Sequence, residues 1–161
     1  MQKIPKSMAH NIGVSNFAIR NLERLLNSSS CKTIPAVNQI ELHPNNPSPK
    51  LVAYCKDHGI HCTGYSCLGS TNSPLYKDPT LLLIADKRAK TPQQILLAWG
   101  IAKGWSVIPK SVNKERIEKN FGLDGWELTP HEIDQISNLT DRFKVCTDDW
   151  LPGKVFFGDD E

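Results

Sequence analysis

Residues 108–120 read IPKSVNKERIEKN, and this stretch places cations and a hydroxyl group at the junction between a strand and a helix. The run over 106–109 is typical of a short buried strand, and Asn113 can cap the helix that follows. The first N–H groups of a helix lack helical partners and favour negative charge. Lys110 and Arg116 flank this point, which indicates a site for an anion such as a phosphate. The alternative is a pair of surface cations on a solvated helix.

The length and charge of the chain are those of an ordinary globular protein. Its 161 residues suffice for one domain with a hydrophobic core, and 39% hydrophobic with 22% charged residues is normal composition. The net charge is +2 and the cations are scattered, which predicts no nucleic-acid partner. We find no signal peptide and no apolar run of membrane-spanning length, so we expect a cytoplasmic protein without a membrane partner.

The five cysteines are predicted to be free thiols. Their number is odd, and the sequence has no secretory signal that would favour disulfides. Cys55, His58, His61 and Cys62 are close in sequence, which raises the question of a zinc site. Because they straddle a helix end and the next strand, we expect their side chains to diverge and to bind no metal.

Apolar runs alternate with helical signals along the chain. The runs are typical of buried strands and cover residues 12–14, 36–40, 60–65 and 105–109. Four helices are predicted. The first covers residues 18–26, and the second starts at Ser48-Pro49 and stops at Gly59. The third starts at Thr91-Pro92, and the fourth runs from Thr129-Pro130 to near Leu139. The third and fourth helices begin with capping boxes. The third has a predicted buried stripe of Ile95, Ala98, Trp99 and Ala102. A loop rich in Gly, Ser, Asn and Pro lies between Cys67 and Asp78.

Successive strand and helix units predict a parallel sheet that binds ligands at the carboxyl ends of its strands. Polar residues collect at those ends, namely Ser15, Asn16, Asn38, Gln39, Tyr65, Ser66, Lys110 and Ser111. The spacing is compatible both with a small open sheet and with part of a (β/α)8 barrel, because both use the same unit.

Four segments, in their order and spacing, resemble the aldo-keto reductases. They are residues 12–17 (IGVSNF), 37–44 (VNQIELHP), 64–70 (GYSCLGS) and 108–120. The loop around residues 70–75 looks most like the fungal glycerol dehydrogenase and aldehyde reductase branch. The resemblance implies an α/β fold in which residues 1–161 form one domain, the C-terminal half of an NADP-dependent oxidoreductase. This half would be strands five to eight of a partial (β/α)8 TIM barrel, without the N-terminal half.

The resemblance further implies that NADP(H) lies over the carboxyl ends of the strands. Ser15, Asn16 and Gln39 match the groups that hydrogen-bond the nicotinamide carboxamide, and Tyr65 matches the aromatic residue that stacks on the nicotinamide ring. Short amide and hydroxyl side chains beside a flat ring are suited to this task, because hydride transfer requires one face of the nicotinamide to be presented.

The phosphates and the adenine of NADP(H) have matching residues in the second half of the chain. The matches are Ser66, Leu68 and Ser70 for the loop around the pyrophosphate, Lys110, Ser111 and Arg116 for the clamp on the 2′-phosphate, and Asn120 for the adenine. Three residues depart from the family pattern. Asn72 replaces an Asp that closes over the pyrophosphate, Lys119 replaces a Glu beside the adenine, and Cys67 replaces a proline.

The resemblance assigns no catalytic residue to this chain. The family's proton donor is a Tyr whose pKa is lowered by a Lys, with an Asp and a His in support, and all four come from the first half of the barrel. Outside those contexts, Tyr54 is expected to pack, Tyr65 to stack on the cofactor, and Tyr76 and His43 to lie on loop surface. Without a general acid the reaction loses a factor of roughly 10²–10⁴, so we expect the chain alone to be inactive.

Four strands of a barrel leave two open edges and an uncovered apolar face, so we expect marginal stability or self-association through these edges. The small-molecule partner of a completed barrel would be an aldehyde or a ketone. Two alternatives are a non-catalytic nucleotide-binding protein that pairs with itself and a decayed gene product. The tail aromatics either shape a substrate pocket or cover the rim of the barrel, and they are Phe143, Trp150, Phe156 and Phe157.

Overall fold

The computed structural model describes residues 1–149, which form a four-stranded sheet with helices between and after the strands. The strands are β1 (Val14–Ser15), β2 (Val37–Glu41), β3 (His61–Tyr65) and β4 (Ser106–Val107), and they are hydrogen-bonded in that order. The helices are α1 (Ile19–Leu26), α2 (Pro49–Asp57), α3 (Pro79–Arg88), α4 (Pro92–Ala102), α5 (Lys114–Phe121) and α6 (Pro130–Ser137). A 3₁₀ turn covers Pro74–Lys77. No helix of residues 1–149 has the length and apolar content needed to cross a membrane.

The described chain consists of two compact units, and the first contains residues 1–40, 48–63 and 146–149. Here β1 and β2 are parallel, with Ser15 opposite Gln39. The two strands approach closely at Gly13, where a Cβ atom would lie 2.8 Å from the carbonyl oxygen of Val37. A side chain at position 13 would therefore separate the strands. Helix α1 buries Leu22 in this unit.

The second unit contains residues 41–47 and 64–145. Its core surrounds α4, which buries Ile95, Leu96, Leu97, Trp99 and two smaller neighbours. The rings of Trp99 and Trp105 meet edge to face at 5.0 Å, and the indole N–H of Trp99 donates to the Ser137 hydroxyl at 3.1 Å. Such burial of aromatic area is a large favourable contribution to folding.

The alternation of strands and helices and both capping boxes are confirmed. The side chains of Thr91 and Thr129 each accept a hydrogen bond from the backbone three residues on, and Gln94 and Glu132 bond back. The expectations for α4 and β4 were confirmed only in part. Helix α4 buries Ile95 and Trp99 as expected, but it buries a broader band than a stripe, Ala98 is half-buried and Ala102 at its end is exposed. Strand β4 has an exposed Ser106 and a half-buried Val107, although Trp105 just before it is buried.

Helix α3 was missed in the sequence. Asp78 caps it by accepting from the Leu81 N–H at 3.0 Å, Pro79 occupies its first turn, and Leu81 and Ile84 are buried. An acidic cap followed by proline and an apolar i, i+3 pair is a helix-start signal, which the loop-like composition before Asp78 obscured. The single-domain expectation stays a prediction.

Candidate functional site

In the first unit, the turn after β1 is fixed on β2 by a single acceptor. The carbonyl oxygen of Gln39 accepts the Ser15 hydroxyl at 2.8 Å and the Asn16 N–H at 3.0 Å. Asn16 has φ of 58°, a left-handed conformation in which asparagine is tolerated better than most residues. The fold therefore brings together Ser15, Asn16 and Gln39, the three residues that match carboxamide-binding groups.

In the second unit, the chain after β3 makes a tight loop. Ser66, Gly69 and Ser70 all have positive φ, and the Gly69 N–H donates to the Ser66 carbonyl at 2.7 Å. A Cβ atom at Gly69 would lie 2.3 Å from Ser73 Oγ, so glycine is required there. Tyr65, Ser66 and Leu68 are half-buried and Ser70 is exposed, which leaves the loop accessible.

The segment between β4 and α5 contains the other predicted anion-binding residues. Asn113 caps α5, because its Oδ1 accepts the Arg116 N–H at 3.0 Å, and Ser111 Oγ accepts the Asn113 N–H at 3.1 Å. One first-turn N–H is therefore satisfied by the cap and is not offered to a ligand. Lys110 and Arg116 are exposed and Asn120 is half-buried.

The 3₁₀ turn is attached to the loop after β3. The Tyr76 hydroxyl donates to the Ser70 carbonyl at 3.0 Å. Burial and the neighbouring Cys67 raise the pKa of Tyr76, whereas the Arg116 guanidinium lies close enough to oppose that rise. The Tyr76 side chain therefore attaches the 3₁₀ turn to the Ser66–Ser70 loop. It is half-buried, whereas it was expected on loop surface.

The three departures from the family pattern differ in their surroundings. Lys119 forms an ion pair with Glu115 at 2.7 Å within α5, and Asn72 is exposed. Cys67 is buried, and this burial raises the pKa of its thiol to about 11. The thiol is thus protonated at neutral pH, which disfavours a role as a nucleophile.

His43 was also expected on loop surface, and this was wrong. It is fully buried, its Nε2 lies 3.0 Å from Glu41 Oε1, and its ring stacks on Phe143 at 4.7 Å. The same Glu41 oxygen accepts the Val145 N–H at 2.6 Å. The beginning of the tail is therefore attached to the residues after β2 within the second unit. Trp150, Phe156 and Phe157 lie outside the described residues.

Sequence reasoning missed Glu41 and its partners. The signal was present, because a carboxylate at the end of a buried strand needs a partner. The partner Val145 is 104 residues away, however, and no local pattern identifies it.

The prediction that these side chains diverge was wrong for Cys55 and Cys62. Both are buried, and the two thiols form a hydrogen bond with each other, which lowers the pKa of Cys55 and raises that of Cys62. His58 instead stacks on Tyr54 at 4.1 Å. Within residues 1–149, no group of three or more His, Cys, Asp and Glu side chains could hold a metal ion.

Comparison with known proteins identifies relatives of this chain. The sequence model of the Aldo/keto reductase family matches residues 8–141. The chain is 39% identical to the glycerol 2-dehydrogenase (NADP(+)) of Saccharomyces cerevisiae over 97% of its own length and 51% of that protein. It is 43% identical to the aldehyde reductase YPR1 of the same yeast over 87% of its length and 45% of that protein.

Solved structures give the same assignment. The aldose reductase of Schistosoma japonicum superposes with a TM-score of 0.79 at 36% identity, over 86% of this chain and 44% of that chain. An aldo-keto reductase from a deep-sea metagenome library of the Medee basin gives 0.81 at 35% identity, over 85% and 50%. The chain thus spans about half the length of its relatives. Its fold is part of a (β/α)8 barrel, as expected, and the chain belongs to the aldo/keto reductase family.

Proposed function

We propose that this chain is the NADP(H)-binding part of an aldo-keto reductase, an oxidoreductase that reduces aldehydes or ketones to alcohols. The observation that carries this proposal is the tight, accessible loop after β3, whose Ser70 carbonyl accepts the Tyr76 hydroxyl, in a chain that matches the Aldo/keto reductase family over residues 8–141. A yeast relative whose name includes NADP(+) supports the choice of cofactor. A cytoplasmic location stays a prediction.

Lys110, Ser111 and Arg116 are proposed to hold the 2′-phosphate. Arg116 offers a planar fork and Lys110 a point charge, and both are exposed on a segment that the Asn113 cap holds in place. The positive end of α5 adds to their attraction for an anion. Asn120, at the other end of α5, would hydrogen-bond the adenine.

The remaining contacts are proposed for the pyrophosphate and the nicotinamide. Backbone N–H groups and hydroxyls of the Ser66, Leu68 and Ser70 loop would replace the hydration of the pyrophosphate. Ser15, Asn16 and Gln39 would bind the carboxamide, and Tyr65 would stack on the ring. The bound cofactor supplies a hydride, and these residues contribute by fixing the ring face that delivers it.

The general acid of the reaction is not assigned to any residue of this chain. Tyr76 donates its proton to a backbone carbonyl, and Tyr54 stacks on His58, so both hydroxyphenyl groups have structural roles. We therefore propose that residues 1–161 bind the dinucleotide without reducing a carbonyl at a rate typical of enzymes. The substrate of the full reductase would be an aldehyde or a ketone.

A binding measurement tests the cofactor proposal. NADPH and NADH would be titrated into the whole chain and into Lys110→Met, with Lys103→Met as control because it removes an equally exposed lysine at the end of α4. We expect Lys110→Met to weaken NADPH about tenfold or more, with less than a twofold effect on NADH. Wild type that binds neither dinucleotide, or a variant that weakens both equally, would contradict the proposal.

A turnover measurement tests the proposed inactivity. The chain would be mixed with NADPH and a simple aldehyde, and the absorbance of NADPH would be followed. We expect a rate no higher than that of a buffer control. Sustained oxidation of NADPH that depends on the aldehyde would overturn the proposal that the general acid lies outside this chain.

Self-association is a second proposal, and exposed apolar residues favour it. Val112 is 87% exposed and Phe121 85% exposed, and both flank or end α5, the helix that follows β4 in the chain. Exposed apolar side chains of this size are typical of an interface. A second copy of this chain would cover them.

A further inference from the structure

Asn38 is the buried polar residue that lies beside the predicted carboxamide-binding cluster without belonging to it. It is fully buried on β2, next to Gln39, and it pairs with Val14 in the parallel register. A buried amide must satisfy its hydrogen-bonding groups inside the protein, because no water replaces a missing partner. The partners of Asn38 therefore indicate what this residue does.

The side-chain amide of Asn38 binds both backbone groups of one residue. Its Nδ2 donates to the Phe17 carbonyl at 2.8 Å, and its Oδ1 accepts the Phe17 N–H at 3.3 Å. The same Nδ2 lies 3.8 Å from Cys55 Sγ, a third contact. The amide offers a donor and an acceptor on two separate atoms, so neither an ionised aspartate nor a leucine can make this pair of bonds.

These bonds fix the residue that follows Asn16. Phe17 stands two positions beyond the end of β1, where the strand ladder has stopped. The Asn38 amide thus extends the pairing of β1 with β2 by a side chain in place of backbone. Asn16 lies between Ser15, which is bound to Gln39, and Phe17, which is bound to Asn38, and this double attachment holds its φ of 58°.

We infer that Asn38 is a positioning residue, which sets the turn at Asn16 and thereby the nicotinamide end of the cofactor site. The functional part rests on the proposed role of Ser15, Asn16 and Gln39. If Asn38 has this role, its loss must weaken the binding of ligands that contain the nicotinamide. It must leave unchanged the binding of ligands that have the adenosine 2′-phosphate but no nicotinamide.

Two ligands and two variants test this prediction. NADP⁺ and 2′,5′-ADP, which lacks the nicotinamide, would be titrated into the whole chain and into Asn38→Asp and Asn38→Leu. The controls are Asn45→Asp and Asn45→Leu in the second unit, where a buried amide donates to the Asp141 carbonyl at 2.7 Å. We expect the Asn38 variants to weaken the binding of NADP⁺ about tenfold and that of 2′,5′-ADP less than twofold. The Asn45 variants should leave the ratio of the two affinities unchanged.

Amide hydrogen exchange in the ligand-free chain gives an independent measurement. In the Asn38 variants, exchange at Phe17 should accelerate at least tenfold relative to Leu22, whose N–H donates to the Ala18 carbonyl in the same unit. Equal acceleration at both residues, or at neither, would overturn the inference. If exchange at Phe17 accelerates but the ratio of the affinities for NADP⁺ and 2′,5′-ADP stays the same, the functional part of the inference is overturned. Wild type that binds neither ligand would instead contradict the proposed function, and exchange would still decide the role of Asn38.

Discussion

Helices α4 and α5 belong to the same unit, but they contribute to it in opposite ways. Helix α4 has eleven residues, a complete capping box and six buried residues, whereas α5 has eight residues and buries none. Helix α5 instead has ion pairs on its exposed surface, and Lys110 precedes it. In this unit, the residues that stabilise the core and the charged residues proposed to bind a ligand therefore lie in different segments, and either set can be changed without the other.

The largest expected effect is the loss of the central aromatic side chain of α4. Trp99→Ala should destabilise the chain by about 3–5 kcal/mol, because it leaves a cavity and removes the contact with Trp105. The same truncation in α5, Phe121→Ala, should cost less than about 0.5 kcal/mol, since that ring is exposed. Urea unfolding followed by circular dichroism measures both, and equal losses would contradict the comparison.

The next effect concerns the ion pair that joins α3 to α6. Glu132 is buried, and its carboxylate accepts the Nε and Nη2 hydrogens of Arg88 and the Thr129 N–H. Chiefly the Arg88 guanidinium lowers the pKa of Glu132 to about 2, from an ordinary value of 4.5. Glu132→Gln should therefore cost about 3 kcal/mol at pH 7.

The pH dependence of that cost has a definite sign. Because the folded-state pKa is depressed, the stabilisation is fully present above about pH 4.5 and is lost as the pH falls towards 2. The difference between wild type and Glu132→Gln should shrink over that window. The control is Glu118→Gln in α5, whose exposed carboxylate lies 4.0 Å from Lys114 and should contribute less than about 0.5 kcal/mol at any pH. A cost that does not change with pH would exclude the charge as its cause.

A smaller effect distinguishes the caps of the two helices. Thr91→Ala and Asn113→Ala each remove a side-chain acceptor for a backbone N–H, a loss of about 1 kcal/mol. In α4 this loss should lower the stability of the whole unit, because the helix is part of the core. In α5 it should appear only as faster amide exchange at Arg116, whose N–H loses its acceptor. A lower unfolding midpoint for Asn113→Ala would indicate that α5 is more firmly packed than its exposure implies.

The smallest effect on stability belongs to the apolar residues around α5. Val112→Ser combined with Phe121→Ser should change the free energy of unfolding by less than about 0.5 kcal/mol. The double variant should nevertheless reduce self-association and the binding of a hydrophobic dye, as measured by light scattering and fluorescence. Unchanged association would indicate that these side chains are not the contact between copies.

Much of the site was visible in the sequence because it depends on short-range chemistry. The cap at Asn113, both capping boxes and the polar residues at strand ends follow from neighbours within four positions. The loop after β3 was expected from its composition, although its positive φ angles at Ser66 and Ser70 required the structure. The roles of these residues towards NADP(H) came from family resemblance and remain predictions.

The errors share one physical cause. The run over 105–109 looks like a buried strand because most of its residues are apolar, but burial depends on whether another element covers them. His43 was assigned to loop surface because loops are usually exposed, but it is buried against a partner that local sequence does not identify. The Phe143 ring that covers His43 is a hundred positions away in the chain.

The sequence by itself determined the alternation of strands and helices, the helix starts and the family, because periodicity, caps and motif order are local properties. Only the tertiary structure decided which polar groups are paired. Asn38 with Phe17, Glu41 with Val145 and Glu132 with Arg88 each join distant positions. The reason is that a buried donor or acceptor requires a partner in space, and the folded backbone determines which residue is near enough to provide it.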